Sequence, residues 1–131
     1  MLNLVDQNRI KDEILAARLA LAESLMKECE VDAWIIASRE YNEDPLFHAL
    51  TPAHFPTARR VTILVLGFEN GKYVKYCVNL PDHELEKYYV QDYNRKNETQ
   101  MEALTRVLTR MNPRNIALNY SDHFAYTDGL S

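Results

Sequence analysis

The sequence predicts an α/β fold, a mixed sheet with a central β-hairpin flanked by helices. Three observations lead there. Apolar residues recur at steps of three and four from Gln7 to Glu30, the period of an amphipathic helix. Two unbroken apolar runs, Ala33-Trp34-Ile35-Ile36-Ala37 and Val61-Thr62-Ile63-Leu64-Val65-Leu66, read as strands covered on both faces, because a half-exposed strand would alternate. Asn70-Gly71 then separates the second run from a strictly alternating stretch, and both turn residues tolerate positive φ, as a tight hairpin requires.

In order, the first helix spans 7–30. Asp6 is its expected N-cap, since a carboxylate can accept a first-turn amide proton. Ile10, Ile14, Ala17, Leu21, Leu25 and Cys29, with Ala22 and Met26, form the expected buried stripe, and Leu15 and Leu19 widen it enough to lie on a sheet. Arg9, Lys11, Glu13, Glu23, Lys27 and Glu28 fall mostly off it. The strand 33–37 runs into the polar segment Ser38 to Asp44, at the strand's carboxyl end, where open α/β sheets tend to bind ligands. Pro45 to Leu50 suits one helical turn, and Pro52 and Pro56 mark an irregular connector to Ala58.

After Arg59-Arg60 comes the second strand, then the hairpin strand Tyr73 to Leu80. Val74, Tyr76, Val78 and Leu80 should share one face and Tyr73, Lys75, Cys77 and Asn79 the other. His83 to Tyr93 stays open: Leu85 with Tyr88 and Tyr89 fits a helical turn, and Tyr88 to Val90 fits a short strand. Asn97 with Gln100 is the expected capping pair for a second helix carried by Met101, Leu104, Val107, Leu108 and Met111, which Pro113 stops. Ile116 to Tyr120 is a short strand. Thr127 and Asp128 are good N-cap types with no helix after them, so a further element is expected past Ser131.

With 131 residues the chain is expected to form a single domain, 1–131, able to hold a core without staples. The net charge of −4, with both signs interspersed, provides no basic stripe to neutralise a phosphate backbone, so nucleic acid is not an expected partner. No apolar run approaches the roughly 20 residues that cross a bilayer. Cys29 and Cys77 lack Cys-x-x-Cys spacing and the first residues lack a signal-peptide pattern, which together predict a cytoplasmic protein with reduced thiols.

For chemistry, the residues present matter more than their number. His48, His54, His83 and His123 lack the i, i+4 helical pairing of a metal site and read as surface or hydrogen-bonded histidines. The glycines, at 67, 71 and 129, build neither a nucleophile elbow nor a phosphate cradle. Cys29, near a helix C-terminus, reads as buried filler. Asp32, Glu40, Glu43, Asp44, Asp122 and Asp128 would have to converge to hold Mg²⁺, yet the strand interiors carry no Asp or Glu. No catalytic or metal-ligating residue is therefore assigned. Arg39, Tyr41 and Asn42 are the candidate substrate-binding residues: a bidentate donor fork, an aromatic rim and an amide suit a carboxylate or peptide end. The competing reading of Arg39 is a salt bridge to Glu40, Glu43 or Asp44.

Read together, Arg18-Leu19 and Met26 on the helix, Val31-Asp32-Ala33-Trp34-Ile35-Ile36, Glu40-Tyr41, Arg59-Arg60 and Asn119-Tyr120-Ser121 with Asp128-Gly129-Leu130 resemble the N-terminal domain of the creatinase, prolidase and aminopeptidase P family. The resemblance spans nearly the whole chain. It implies an α/β unit with a mixed sheet that shapes and caps the substrate cleft of a pita-bread metallopeptidase and aids dimerisation. It also implies partners: the chain's own C-terminal catalytic domain, a second subunit in a homodimer, and a peptide substrate. No cofactor is expected within these residues. Two divalent metal ions (Mn, Zn or Co) are expected in the catalytic domain, with the isolated chain inactive. Phe47-His48-Ala49-Leu50-Thr51-Pro52 departs from the family's Tyr-Leu-Thr-Gly pattern, with Pro in place of Gly. The alternatives are a stand-alone α/β binding or oligomerisation module, using the exposed face of 73–79 or Tyr88, Tyr89 and Tyr93, and a carboxylate-dependent enzyme of the nuclease type.

Overall fold

The computed structural model describes residues 3–38, 45–52 and 61–119. Among them, helix α1 (Leu4–Glu28) leads into β1 (Ala33–Ser38) and the short α2 (Pro45–Ala49). The hairpin β2 (Thr62–Glu69) and β3 (Lys72–Cys77) follows, then α3 (His83–Glu86), β4 (Val90–Gln91), α4 (Gln100–Met111) and β5 (Ile116–Leu118). The strands form one mixed sheet in the order β4-β3-β2-β1-β5, with the hairpin at its centre. β1–β2 and β2–β3 are antiparallel, and the two outer pairs, β1–β5 and β3–β4, are parallel. The α/β class, the mixed sheet and the flanking helices are as the sequence predicts.

Strand parity divides the core into two layers. Ile36, Leu64, Leu66 and Cys77 face α1, with Leu15, Leu19, Ala22 and Met26 from that helix, Phe47 from α2 and Leu85 from α3. The alternate residues Ala33, Ile35, Ala37, Ile63, Val65, Tyr76 and Val78 face α4, meeting Ala103, Leu104, Val107 and Met111. Successive β side chains point to opposite faces, so a strand covered on both sides reads as a continuous apolar run, as Ala33 to Ala37 of β1 and Ile63 to Leu66 of β2 do. The hairpin turns at Asn70 and Gly71, both with positive φ (53° and 78°). The faces of β3 sort as expected, Val74, Tyr76 and Val78 toward α4 and Tyr73 and Cys77 toward α1.

Several local expectations need correction. The face of α1 that meets the sheet is the line Leu15, Leu19, Ala22 and Met26, while Ile14, Leu21 and Leu25 of the expected stripe are 42%, 57% and 43% exposed. The helix carries apolar residues on two lines, and the periodicity does not say which line the sheet takes. Its N-cap is Asn3, whose Oδ1 accepts the Asp6 amide at 2.8 Å, so Asp6 lies inside the first turn. Cys29, expected to be buried, is exposed as the C-cap, with its amide donating to Leu25 O. Helix α4 is capped by Thr99 in a reciprocal box with Glu102, not by Asn97 with Gln100, because that register places an acceptor at each end of the first turn. It ends at Asn112 in the left-handed conformation (φ 50°), one residue before Pro113. The open stretch 83–93 holds a turn of helix over His83–Glu86, capped by Asp82, and then a two-residue strand at Val90–Gln91, so Tyr88 and Tyr89 lie between the two elements. The expected strand from Ile116 to Tyr120 is the three-residue β5, Ile116–Leu118, with Ile116 and Leu118 on one face.

Gly67 shows where packing is tightest. A Cβ there would sit 2.6 Å from the Asp32 carbonyl oxygen and closer still to the Met111 methyl. The carbonyl cannot retreat, because it accepts the Phe68 amide at 3.0 Å. Gly67→Ala should therefore destabilise the fold by about 2 kcal/mol through overpacking, measured as a lowered urea midpoint with an unchanged m-value. An unaltered midpoint would show that Met111 and β1 have room to move.

Candidate functional site

The expected site begins where β1 ends. Ser38, the last residue of β1, is fully buried opposite Thr62, so the strand delivers the following segment from a rigid anchor. The chain returns at α2, which is held from below: Phe47 is fully buried among α1 residues, and the Arg18 guanidinium donates to Ala49 O at 3.3 Å. Tyr89 fastens the far side by donating its hydroxyl to Leu50 O at 2.7 Å. Arg39, Tyr41 and Asn42 themselves lie outside the described residues, as do Glu40, Glu43, Asp44, His54, Asp122, His123 and Asp128. β5 runs parallel to β1, so Ser38 and Asn119 stand toward the same edge of the sheet. Trp34 Nε1 donates to Asn119 Oδ1 at 3.0 Å, tying the two strand segments together.

The acidic candidate that is described, Asp32, has a structural task. Its Oδ2 accepts the amides of Arg114 at 3.0 Å and Asn115 at 2.9 Å, which closes the entry to β5 at the amino end of β1. Among the described residues no three His, Cys, Asp or Glu side chains converge as metal ligands. Of the described histidines, His48 is exposed on α2, and exposed His83 has Nδ1 3.9 Å from Glu86. The tyrosines weighed as a partner surface are divided: Tyr89 is 2% exposed and belongs to the core, while Tyr88 and Tyr93 are partly buried against the two layers. An aromatic side chain beside a short helix packs inward when its hydroxyl can reach a carbonyl, as Tyr89 does.

Sequence reasoning missed a charged network on the α4 side. Arg106 forks between Asp92 (Nη1 to Oδ1, 2.7 Å) and Glu98 (Nη2 to Oε1, 2.7 Å; Nε to Oε2, 3.1 Å). One turn on, Arg110 reaches the second oxygen of Asp92 at 2.7 Å and Glu69 at 2.9 Å, with its guanidinium carbon 4.9 Å above the Tyr76 ring. Tyr76 donates to Glu69 in turn. The network borders an open polar cleft of about 490 Å³ that Gln91, Asn94 and Asn97 also line. The i, i+4 spacing of Arg106 and Arg110 was a usable signal, but their acceptors are Glu69 on β2 and Asp92 and Glu98 on the connection from β4 to α4. Every carboxylate in the network is matched to a guanidinium, so the arrangement clamps β2, β4 and the loop after it onto α4. Beside it, Gln100 Nε2 donates to the carbonyls of Val61 and Val78, and Gln91 donates to Asn79 O. Among the described residues, Asn79 Oδ1 and Gln91 Oε1 are buried without a donor.

Burial pushes the Asp92 carboxyl up, but Arg110 and Arg106 more than offset this and hold it below the ordinary carboxylate value. The Arg106 guanidinium and the Asn94 amide lower Glu98 as well. A carboxylate whose folded pKa lies below its unfolded one adds stability above the unfolded pKa, and this is lost as pH falls through the folded pKa. Urea stability should then decline as pH drops below about 4. Asp92→Asn should flatten that acid limb while lowering stability at neutral pH. An acid limb identical in the variant would mean that the network adds nothing to the pH response.

A scan against protein-family models, a search of curated proteins and a search of solved structures returned no match to this chain.

Proposed function

We propose that the chain is the non-catalytic N-terminal domain of a metal-dependent Xaa-Pro aminopeptidase or dipeptidase, and that it shapes and caps the substrate cleft. The observation that carries this reading is the parallel pairing of β1 with β5 and the Trp34 to Asn119 hydrogen bond. Two of the segments on which the family resemblance rests, Val31 to Ile36 and the one that opens at Asn119, are thereby neighbours in a mixed sheet. Both strands point their carboxyl ends toward one edge, the edge at which α/β sheets present binding residues. The segment holding Arg39, Tyr41 and Asn42 starts there.

In this role the domain binds and orients, and the metal centre of the catalytic domain supplies the hydrolytic chemistry. Arg39 would hold a substrate carboxylate through two parallel N–H bonds, Tyr41 would wall the cleft, and Asn42 would meet a peptide amide. The described ionisable groups suit a supporting role, since Asp32, Asp92, Glu98, Arg106 and Arg110 are engaged in holding the fold.

In the enzyme that contains this chain, Arg39→Ala should raise KM for an Xaa-Pro dipeptide by about tenfold while kcat and melting temperature stay close to wild type. The 131-residue chain alone, supplied with Mn²⁺, should leave the same dipeptide uncut. An unchanged KM with a lowered melting temperature would make Arg39 structural, and turnover by the chain alone would overturn the reading.

A further inference from the structure

The carboxyl edge of the sheet carries a buried polar row. β1 and β3 both run antiparallel to β2, and β4 runs parallel to β3, so Ser38, Asn79 and Gln91 come at the same end as Thr62. Side chains alternate across a strand, which puts these four on the α1 side with Ile36, Leu64 and Cys77. Thr62 stands opposite Ser38, and continuing the β2–β3 register past Leu64 and Cys77 sets Asn79 on its other flank. Ser38, Thr62 and Asn79 are 0%, 4% and 6% exposed. Polar groups this deep are costly unless each finds a partner.

Two acceptors at this edge have none among the described residues. Asn79 Nδ2 donates to Leu80 O at 2.7 Å and Gln91 Nε2 donates to Asn79 O, so turning either amide over would set oxygen against oxygen. With the amides held that way round, Asn79 Oδ1 and Gln91 Oε1 are shut from solvent and, among the described residues, meet no N–H or O–H. Oxygens therefore outnumber donors around this pair of amides, since Asn79 O and Leu80 O stand there as well.

The surroundings select what can fill such a place. Both orphan oxygens are closed to solvent, so the missing partner is small, which excludes a peptide or a sugar. The local field is negative. Burial first, and then the charges of Glu86 and Asp82, push the Cys77 thiol up to about 12, and Cys77 is the residue opposite Gln91. A cation is favoured there over a neutral donor. Divalent ions draw carboxylate ligands, whereas neutral carbonyl oxygens can replace the water shell of a monovalent ion. We propose that Asn79 and Gln91 hold a potassium ion at the carboxyl edge of the sheet, through Asn79 Oδ1 and Gln91 Oε1 together with neighbouring backbone oxygens. The inference does not depend on the peptidase reading.

The 131-residue chain should melt about 4 °C higher in about 150 mM KCl than in choline chloride of the same concentration, choline being too large for the place. Replacing choline by potassium at constant ionic strength should give a saturable rise with a midpoint on the order of 10 mM. Gln91→Met and Asn79→Leu keep the size of each side chain and remove its orphan oxygen. Each should bring the difference between the two salts below about 1 °C, with circular dichroism confirming that the variant is folded. The titration of the unaltered chain decides the matter even if neither variant folds. Equal melting in both salts would leave the oxygens to water and overturn the proposal. A rise that never saturates, or one that persists in the folded variants, would overturn it equally.

Discussion

The structure depends on β1 and β2 having no free face. Each is covered by α1 and its neighbours on one side and by α4 on the other, so neither strand can slip by one residue without exchanging its two sets of side chains between layers. The layers are not interchangeable. Ala33 and Ala37 lie under α4, where Val107 and Met111 come close, while Ile36, Leu64 and Leu66 meet α1. Gly67, opposite Ala33 in the ladder, is the narrowest point, where the Asp32 carbonyl and the Met111 methyl leave no room for a side chain.

Around that sandwich, polar groups perform fastening work that the apolar core cannot. Direction is the reason: hydrophobic burial is insensitive to orientation, whereas a guanidinium fork accepts only a narrow set of geometries. Arg106 and Arg110 use that selectivity to place the two-residue β4, which has too few ladder bonds to position itself, against α4 and the hairpin. Asp32 does the same for the three-residue β5 by gathering two backbone amides. Both parallel outer strands are thus held by side chains from elsewhere, and this keeps the carboxyl ends of β1 and β5 together at one edge.

Helix α1 relates to both themes. Its inner line completes one layer of the core, and Ile14, Leu21 and Leu25 of its outer line remain on the surface.

The amino-acid sequence by itself determined the α/β class, the hairpin at Asn70-Gly71, the doubly covered strands and the existence of both long helices. Each of these rests on a local period or a turn residue whose backbone preference holds regardless of context. The tertiary structure decided what local patterns leave degenerate. It chose between the two apolar lines of α1, moved Cys29 to the surface, sent Tyr89 into the core because Leu50 offers its hydroxyl an acceptor, and joined Glu69, Asp92 and Glu98 at two arginines of one helix. A period reports that a face is apolar, but which face is buried depends on where the sheet stands. Likewise an ion pair between residues far apart in the chain has no local signature, because the fold alone brings its members together.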